Sequence, residues 1–328
     1  MKVIALSAAH VESAAEVVAE LHMSGSGPVS SLADREAARL AVDSVIGSGP
    51  GVVAVDESAV VGFMVAPLPP VPGQTAVRLW PAHHAVRPDH ARPAYRRMYE
   101  AIAEKLVAVG CTYHSLPVPA GVPSALDTFF ELGFGVDQIK GAVAIGDREV
   151  PSSAGDDGRD VRDVRVATPK DIDELVQLAI ELTKFHSRTP MFQPALLDVP
   201  RIRESLIWAI EDDAATVLVI DDGERPVAMM SAQPDNAYAR SVVIGMNIVA
   251  ESVRSEGMGT AMLDVLLRWA ADRAYEYCTV GWASSNLISD AFYRSHGFTP
   301  IRHRLHRRID PHVTWANDDL DYSIFQSQ

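Results

Sequence analysis

The stretch Arg254-Ser255-Glu256-Gly257-Met258-Gly259 has the residue types and spacing of an anion site. It follows a strand-like run at 240–250 and opens a helix-like run that reaches about Arg273. A helix start presents N–H groups without intrahelical partners and the positive end of the helix dipole. Glycines there let the backbone approach phosphate oxygens. Two known phosphate motifs are excluded. There is no G-x-x-x-x-G-K-[ST], and the third glycine and acidic strand end of the dinucleotide fingerprint are missing. On its glycines alone, the pattern reads first as an ordinary helix start.

A second block, NLISDAFYRSHGF (286–298), changes the balance. Together the two blocks resemble the GCN5-related N-acetyltransferase (GNAT) superfamily. There R/Q-x-x-G-x-G/A binds the coenzyme A pyrophosphate, and a later block supplies an asparagine near the pantetheine and a tyrosine near the thiol. Arg254, Gly257 and Gly259 match the first motif, and Asn286, Ala291, Tyr293, Gly297 and Phe298 match the second. The resemblance covers most of 165–310. It implies acetyl-CoA as cosubstrate, with no metal, because backbone donors and the helix dipole carry the phosphate charge. Backbone N–H groups of Glu256, Gly257, Met258, Gly259 and Thr260 would hold the pyrophosphate. Pantetheine would bond to exposed backbone near Ile248 and Val249, where the strand at 240–250 splays from the one at 277–284. Arg254 would either add a charge-assisted contact or sit on the surface. Gly245, inside the strand, fits a bulge, a close approach or simple packing.

The implied reaction is attack of a neutral amine on a thioester. The leaving thiolate needs a proton, since a thiol of pKa about 8.5 is mostly protonated at neutral pH. Tyr293 is the candidate general acid. A base must also relieve the usually cationic amine of a proton. Some relatives carry a glutamate on the strand before the loop, but SVVIGMNIVA has none. Glu251, His186 and a water-mediated base all stay open. The acceptor would be a small-molecule or peptide amine of unassigned identity. A catalytically weak acyl-CoA sensor or scaffold is the rival reading, and a longer acyl group is a further one.

Elements that could position these residues occur twice. The second half runs strand, helix, a hairpin at 216–233 turning at Asp222-Gly223, strand, helix, strand, short helix and closing strand. Thr168 and Pro169 open its first helix. The first half repeats that order, with Cys-Thr at both 111–112 and 278–279 and Gly-Phe at both 133–134 and 297–298. The expected fold class is α+β, as two tandem GNAT-like domains. Each would be a mostly antiparallel twisted sheet flanked by helices, with a splayed central strand pair. The expected boundaries are 1–147 for a degenerate copy, 148–163 for a linker and 164–328 for the domain with the intact motif. Aligned on Pro88 and Ala250, RPAYRR (92–97) falls on RSEGMG, so Tyr95 and Arg97 stand where glycines are needed. Phe129 falls opposite Tyr293 and Val122 near Asn286. The first copy keeps the junction without its glycines, which argues that Gly257 and Gly259 serve a ligand.

Composition bounds the rest. The chain has 328 residues, 48% apolar and 22% charged, the profile of a globular protein with a sizeable core. With 43 acidic and 29 basic residues, its net charge of −14 argues against nucleic acid and anionic membranes as partners. That charge suits a cationic amine, and solubility alone would also explain it. His10 and Glu12 interrupt the N-terminal apolar run, which therefore does not read as a signal peptide, and no stretch of about 18 apolar residues could span a membrane. Two cysteines, Cys111 and Cys278, fit a reducing cytoplasm. Cys278 reads as a packed thiol, and His83, His84, His90 and His114 as scattered histidines rather than metal ligands. Oligomeric state is not legible.

Overall fold

The computed structural model of the chain describes residues 1–67, 75–146, 164–193 and 197–314. The expected linker, 148–163, lies outside them. Two compact units emerge: Met1–Ile139 with Pro300–Gln328 form unit 1, and Lys140–Thr299 form unit 2. No helix among the described residues is long and apolar enough to cross a membrane.

Unit 1 runs β1 (Lys2–Ala5), α1 (Val11–Ser26), α2 (Arg35–Val45), β2 (Gly51–Asp56), β3 (Ala59–Val65), β4 (Ala76–Arg78), β5 (His84–Val86), α3 (Ala91–Ala108), β6 (Tyr113–Pro119), α4 (Pro123–Glu131) and the first half of β7 (Gly135–Ala144). Its strands order as β1-β2-β3-β5 in one sheet, while β4 and β6 pair in parallel in another. Unit 2 holds β8 (Arg165–Val166), α5 (Ile172–His186), α6 (Val199–Glu211), β9 (Thr216–Asp221), β10 (Pro226–Pro234), β11 (Ser241–Val249), α7 (Met258–Asp272), β12 (Tyr277–Ala283) and α8 (Leu287–Ser295). Its strands lie in the order β12-β11-β10-β9-β8.

The chain's last strand, β13 (Thr299–Arg308), departs from the expected boundaries. It pairs antiparallel with β6 from Arg302↔Pro119 to Arg308↔Tyr113 and so completes unit 1. The second half of β7 counts with unit 2, beside β12. Both closing strands have mixed apolar and polar residues, so pattern alone does not tell which strand each will pair with.

In unit 2, Thr168 starts the α5 segment by donating its backbone N–H and its hydroxyl to Asp171, at 2.7 and 3.0 Å. Arg165 clamps the same Asp171 and also Asp221. Leu175, Val176, Leu178 and Ala179 give α5 one buried face. That face packs with Leu206 of α6 over Val217, Val219, Met229 and Ile248. The stripe Met262, Leu263, Leu266, Leu267 and Ala270 seats α7 on β9, β10 and β11.

Candidate active site

Strand β11 is where unit 2 departs from a regular sheet. It pairs in parallel with β12 from Ser241↔Tyr277 to Ile244↔Val280, and the ladder stops there although both strands continue. Against β10 the register shifts at the same place. Met230 faces Asn247 while Ala232 faces Ile244, so β11 carries a bulge around Gly245 and Met246. The Ser231 hydroxyl oxygen accepts the Met246 N–H at 2.9 Å, and a Cβ on residue 245 would lie 2.9 Å from that oxygen. Gly245 thus serves both a bulge and a close approach.

A cavity of about 400 Å³ opens where the strands part, a size typical of small-molecule sites. Asn247, Ile248 and Val249 form one wall, Leu182 and Phe185 of α5 another, and Asn286, Ser289 and Phe292 a third. Gly257, Met258, Gly259 and Thr260 line it at the start of α7. Ile248 buries its side chain against α5 and α6, so what it can offer a ligand is backbone.

The entry to α7 alternates in hand. Ser255 has φ +69° and Gly257 has φ +81°, and such alternation makes the concave backbone nests that receive anions. The first helical bond runs from Ala261 N–H to the Gly257 carbonyl at 3.0 Å. The amides of Met258, Gly259 and Thr260 precede it. A Cβ at residue 257 would meet nothing within 4 Å, so the space above this turn is open. A phosphate-bearing ligand fits that opening. Met258 is 2% exposed, so backbone is again what it presents at the turn, whereas Glu256 is exposed and does not line the cavity. Gly259 has a second reason to be glycine: a Cβ there would come within 3.2 Å of the Phe292 ring. The expectation that both glycines answer to a ligand is therefore amended at Gly259, where helix packing also demands it.

Arg254 turns back toward the strand. Its Nε–H donates to the Val249 carbonyl at 3.1 Å, and its guanidinium lies 4.8 Å from the centre of the Phe185 ring. Thr260 bonds through its hydroxyl to Nε2 of His296 at 3.0 Å, and Nδ1 of His296 lies 2.7 Å from the Phe292 carbonyl. That carbonyl requires a proton on Nδ1, leaving Nε2 of the neutral ring to accept from Thr260.

Asn286 is 4% exposed and caps α8, its Oδ1 accepting the Ser289 N–H at 3.1 Å. It therefore has a structural task besides its place in the cavity wall. Tyr293 is also 4% exposed, with Trp282, Phe292 and Phe298 ring centres at 5.2–5.4 Å. Its hydroxyl accepts from Asn247 Nδ2 at 3.2 Å. Burial pushes the phenol well above its ordinary pKa, and the Asn247 bond acts the other way.

Neither candidate base lies in the walls of this cavity. Glu251 is exposed and pairs with Arg188 at 3.3 Å, beside an adjoining cavity of about 490 Å³ that shares Phe185 and Arg254 with the first. His186 ends α5, and partial burial lowers its pKa. Sequence reasoning missed Asn247, Ser231 and the Phe185–Arg254 stack. The one available signal was the amide side chain itself, in a strand that is otherwise apolar after Ser241.

The Acetyltransferase (GNAT) family matches residues 181–298, a span that takes in the cavity, the α7 turn and Tyr293. The chain carries a GNAT-family domain. Its fold is shared over nearly the whole length with solved structures. A GCN5-related N-acetyltransferase from Sphaerobacter thermophilus aligns at 15% identity and a TM-score of 0.61, covering 94% of this chain and 95% of that one. A tandem GNAT protein from the clavulanic acid biosynthesis pathway aligns at 14% and 0.52, covering 94% and 98%. A GNAT-family acetyltransferase from Colwellia psychrerythraea aligns at 11% and 0.51, covering 94% and 100%. No curated protein matches the chain in sequence. At these identities the likeness carries the fold, which is mixed α/β and of the tandem GNAT kind. GNAT enzymes use acetyl-CoA as cosubstrate without a metal. Among the described residues, no group of three or more His, Cys, Asp or Glu is placed to hold a metal ion.

Proposed function

We propose that unit 2 is an N-acetyltransferase that moves the acetyl group of acetyl-CoA to a primary amine by direct attack. The observation that carries this reading is the cavity at the parted strands, bounded by the open α7 turn at one side and by Asn247, the partner of Tyr293, at another. The amides of 258–260 suit the pyrophosphate, and the unpaired edge of β11 suits the pantetheine. Arg254 already occupies the Val249 carbonyl, so it steadies that edge and shares this acceptor with any pantetheine amide. Burial keeps Tyr293 protonated until the thiolate forms.

The cavity walls hold no carboxylate and no imidazole among the described residues. That observation favours two outcomes: proton removal from the amine by water, or the rival acyl-CoA sensor. Incubating the full chain with acetyl-CoA and a panel of primary amines, with free thiol as readout and calorimetry for binding, separates them. Thiol release dependent on one amine supports transfer. Binding without release for any amine supports the sensor, and no binding at all sinks both.

A further inference from the structure

We infer that Asn247 is a positioning residue for the transfer step, aiming the Tyr293 hydroxyl so that its own proton points to the departing sulfur. This inference rests on the acetyltransferase reading of unit 2. Three observations lead to it. Ile248 packs under α5 and α6, so strand alternation sends its neighbour Asn247 to the other face, where Tyr293 lies. The bulge at Gly245 and Met246 puts Asn247 in the part of β11 unpaired with β12 and in the cavity wall. The Tyr293 ring is held by Trp282, Phe292 and Phe298, which leaves the O–H torsion as its main freedom.

A phenol oxygen that accepts an N–H keeps its own proton to give. Had Asn247 offered its carbonyl oxygen instead, that proton would be spent on it. The observed donor is Nδ2, at 3.2 Å. In the reaction, the amine lone pair forms the C–N bond at the thioester carbon, and the carbonyl electrons move to oxygen. Collapse restores the carbonyl and breaks the C–S bond, whose electron pair stays on sulfur. Tyr293 gives its proton to that sulfur, producing the thiol. The phenolate regains a proton released from the nitrogen, relayed by water. Between these transfers, the Asn247 N–H holds the phenolate charge.

The test uses the full chain, acetyl-CoA and whichever amine of the panel wild type acetylates fastest. Asn247→Asp keeps the side-chain shape but offers only acceptors, and Asn247→Ala removes the group. Both should lower kcat roughly 10- to 100-fold, part of the roughly 100- to 10,000-fold that a positioned acid or base supplies, with KM for acetyl-CoA changed less than about twofold. On a Tyr293→Phe background, Asn247→Asp should cost nothing further. Wild-type kcat in Asn247→Asp would overturn the inference, as would a loss confined to KM or a full additional loss on the Tyr293→Phe background. A wild type that binds acetyl-CoA and acetylates no amine removes the acetyltransferase reading, and this inference with it.

Discussion

The two units turn from strand to helix at equivalent places and build different things there. In unit 2 the 3-10 turn Glu251–Val253 is followed by the loop 254–257 before α7 begins. In unit 1 the 3-10 turn Pro88–His90 runs straight into α3, so 92–97 is helical throughout. Tyr95, expected to occupy the Gly257 position, is fully buried in that helix. Its ring centre lies 4.8 Å from that of Phe129, and its hydroxyl bonds to His84 at 3.2 Å. The central strand is broken as well. Where β11 bulges, unit 1 has two short pieces: β4 paired with β6 and β5 paired with β3, separated by Pro81–His83. A pocket there, between Tyr99 and His114, measures about 10 Å³, barely one water.

The later part of each unit is alike. Gly133 and Gly297 both have φ +80°, and each donates its N–H to the residue three before it, at 2.9 and 3.0 Å. Phe129 meets Phe134 at 5.3 Å, as Tyr293 meets Phe298 at 5.4 Å. The helix-ending glycine and its aromatic pair therefore belong to the fold. The glycine loop does not, since unit 1 folds without it.

The sharpest way to break this contrast is a charge at each junction. Gly257→Glu should weaken acetyl-CoA binding roughly 100-fold or more, because a carboxylate would stand where the pyrophosphate is expected. The fold should survive it. The Cβ has open space, a left-handed non-glycine residue costs about 1–2 kcal/mol, and an acid at a helix N-terminus is favourable. Arg97→Glu, which removes an exposed bond to the Met1 carbonyl, should leave binding unchanged. Calorimetry on both variants decides it: equal weakening would mean that unit 1 takes part in binding.

Next in size is the aromatic pair. Tyr293→Phe should lower kcat about 100-fold, within the range of general acid catalysis, with little change in KM for acetyl-CoA. The reciprocal Phe129→Tyr should restore nothing to unit 1. It buries a hydroxyl among rings and should cost about 1–3 kcal/mol if that group finds no partner, readable as a lower Tm. A stabilised Phe129→Tyr would show that unit 1 keeps a polar site like the one beside Tyr293.

The contrast also explains what the sequence could reveal. Local rules reached the α7 turn, the Gly-Phe endings and the Phe129–Tyr293 equivalence, because each rests on residues close in the chain. The end of β12 pairing after Ile244 was also legible, as a strand expected to splay. The partner of the closing strand was not legible, for a different reason. β13 pairs with β6, and partners so distant in sequence are chosen by register and burial that composition does not encode. Asn247 was missed because a bulge sets its direction, and that bulge is fixed by Ser231 on another strand.

Acid should separate the units next. His22, bonded to Ser30 at 2.9 Å, is pushed down to about 4, and His84 to about 3, both mainly by burial. These folded-state values lie below the unfolded value near 6.5, so the unfolded chain binds more protons in that window. Their stability contribution is full above about pH 6.5 and falls as pH drops toward 4 and 3, by on the order of 3 kcal/mol per histidine. In unit 2, Arg165 holds the Asp171 carboxyl below its usual range, so that contribution falls only below about pH 4. His186 of unit 2 is also lowered, but it is only partly buried. Hydrogen exchange between pH 7 and 4.5 should therefore show β2, β3 and α3 losing protection before β9, β10 and α7. The reverse order would sink this account.

The smallest expected effect lies at the start of the short helices. Asn286 caps α8 through its side chain, whereas Val122 begins α4 with no side-chain cap. Asn286→Ala should cost about 1 kcal/mol of stability from the lost cap. Val122→Asn should not gain the same amount. Val122 is 3% exposed and packs beside Gly25, where a Cβ would come within 2.8 Å of its methyl group. A cap there would be offset by removing buried apolar surface, about 0.8 kcal/mol per CH₂ group, so the net change should lie near zero. A gain of a full cap's worth in Val122→Asn would mean that this position in unit 1 is not committed to its core. The two units would then differ at α4 and α8 by sequence drift alone, whereas a near-zero change means that unit 1 has rebuilt the place of Asn286 as packing.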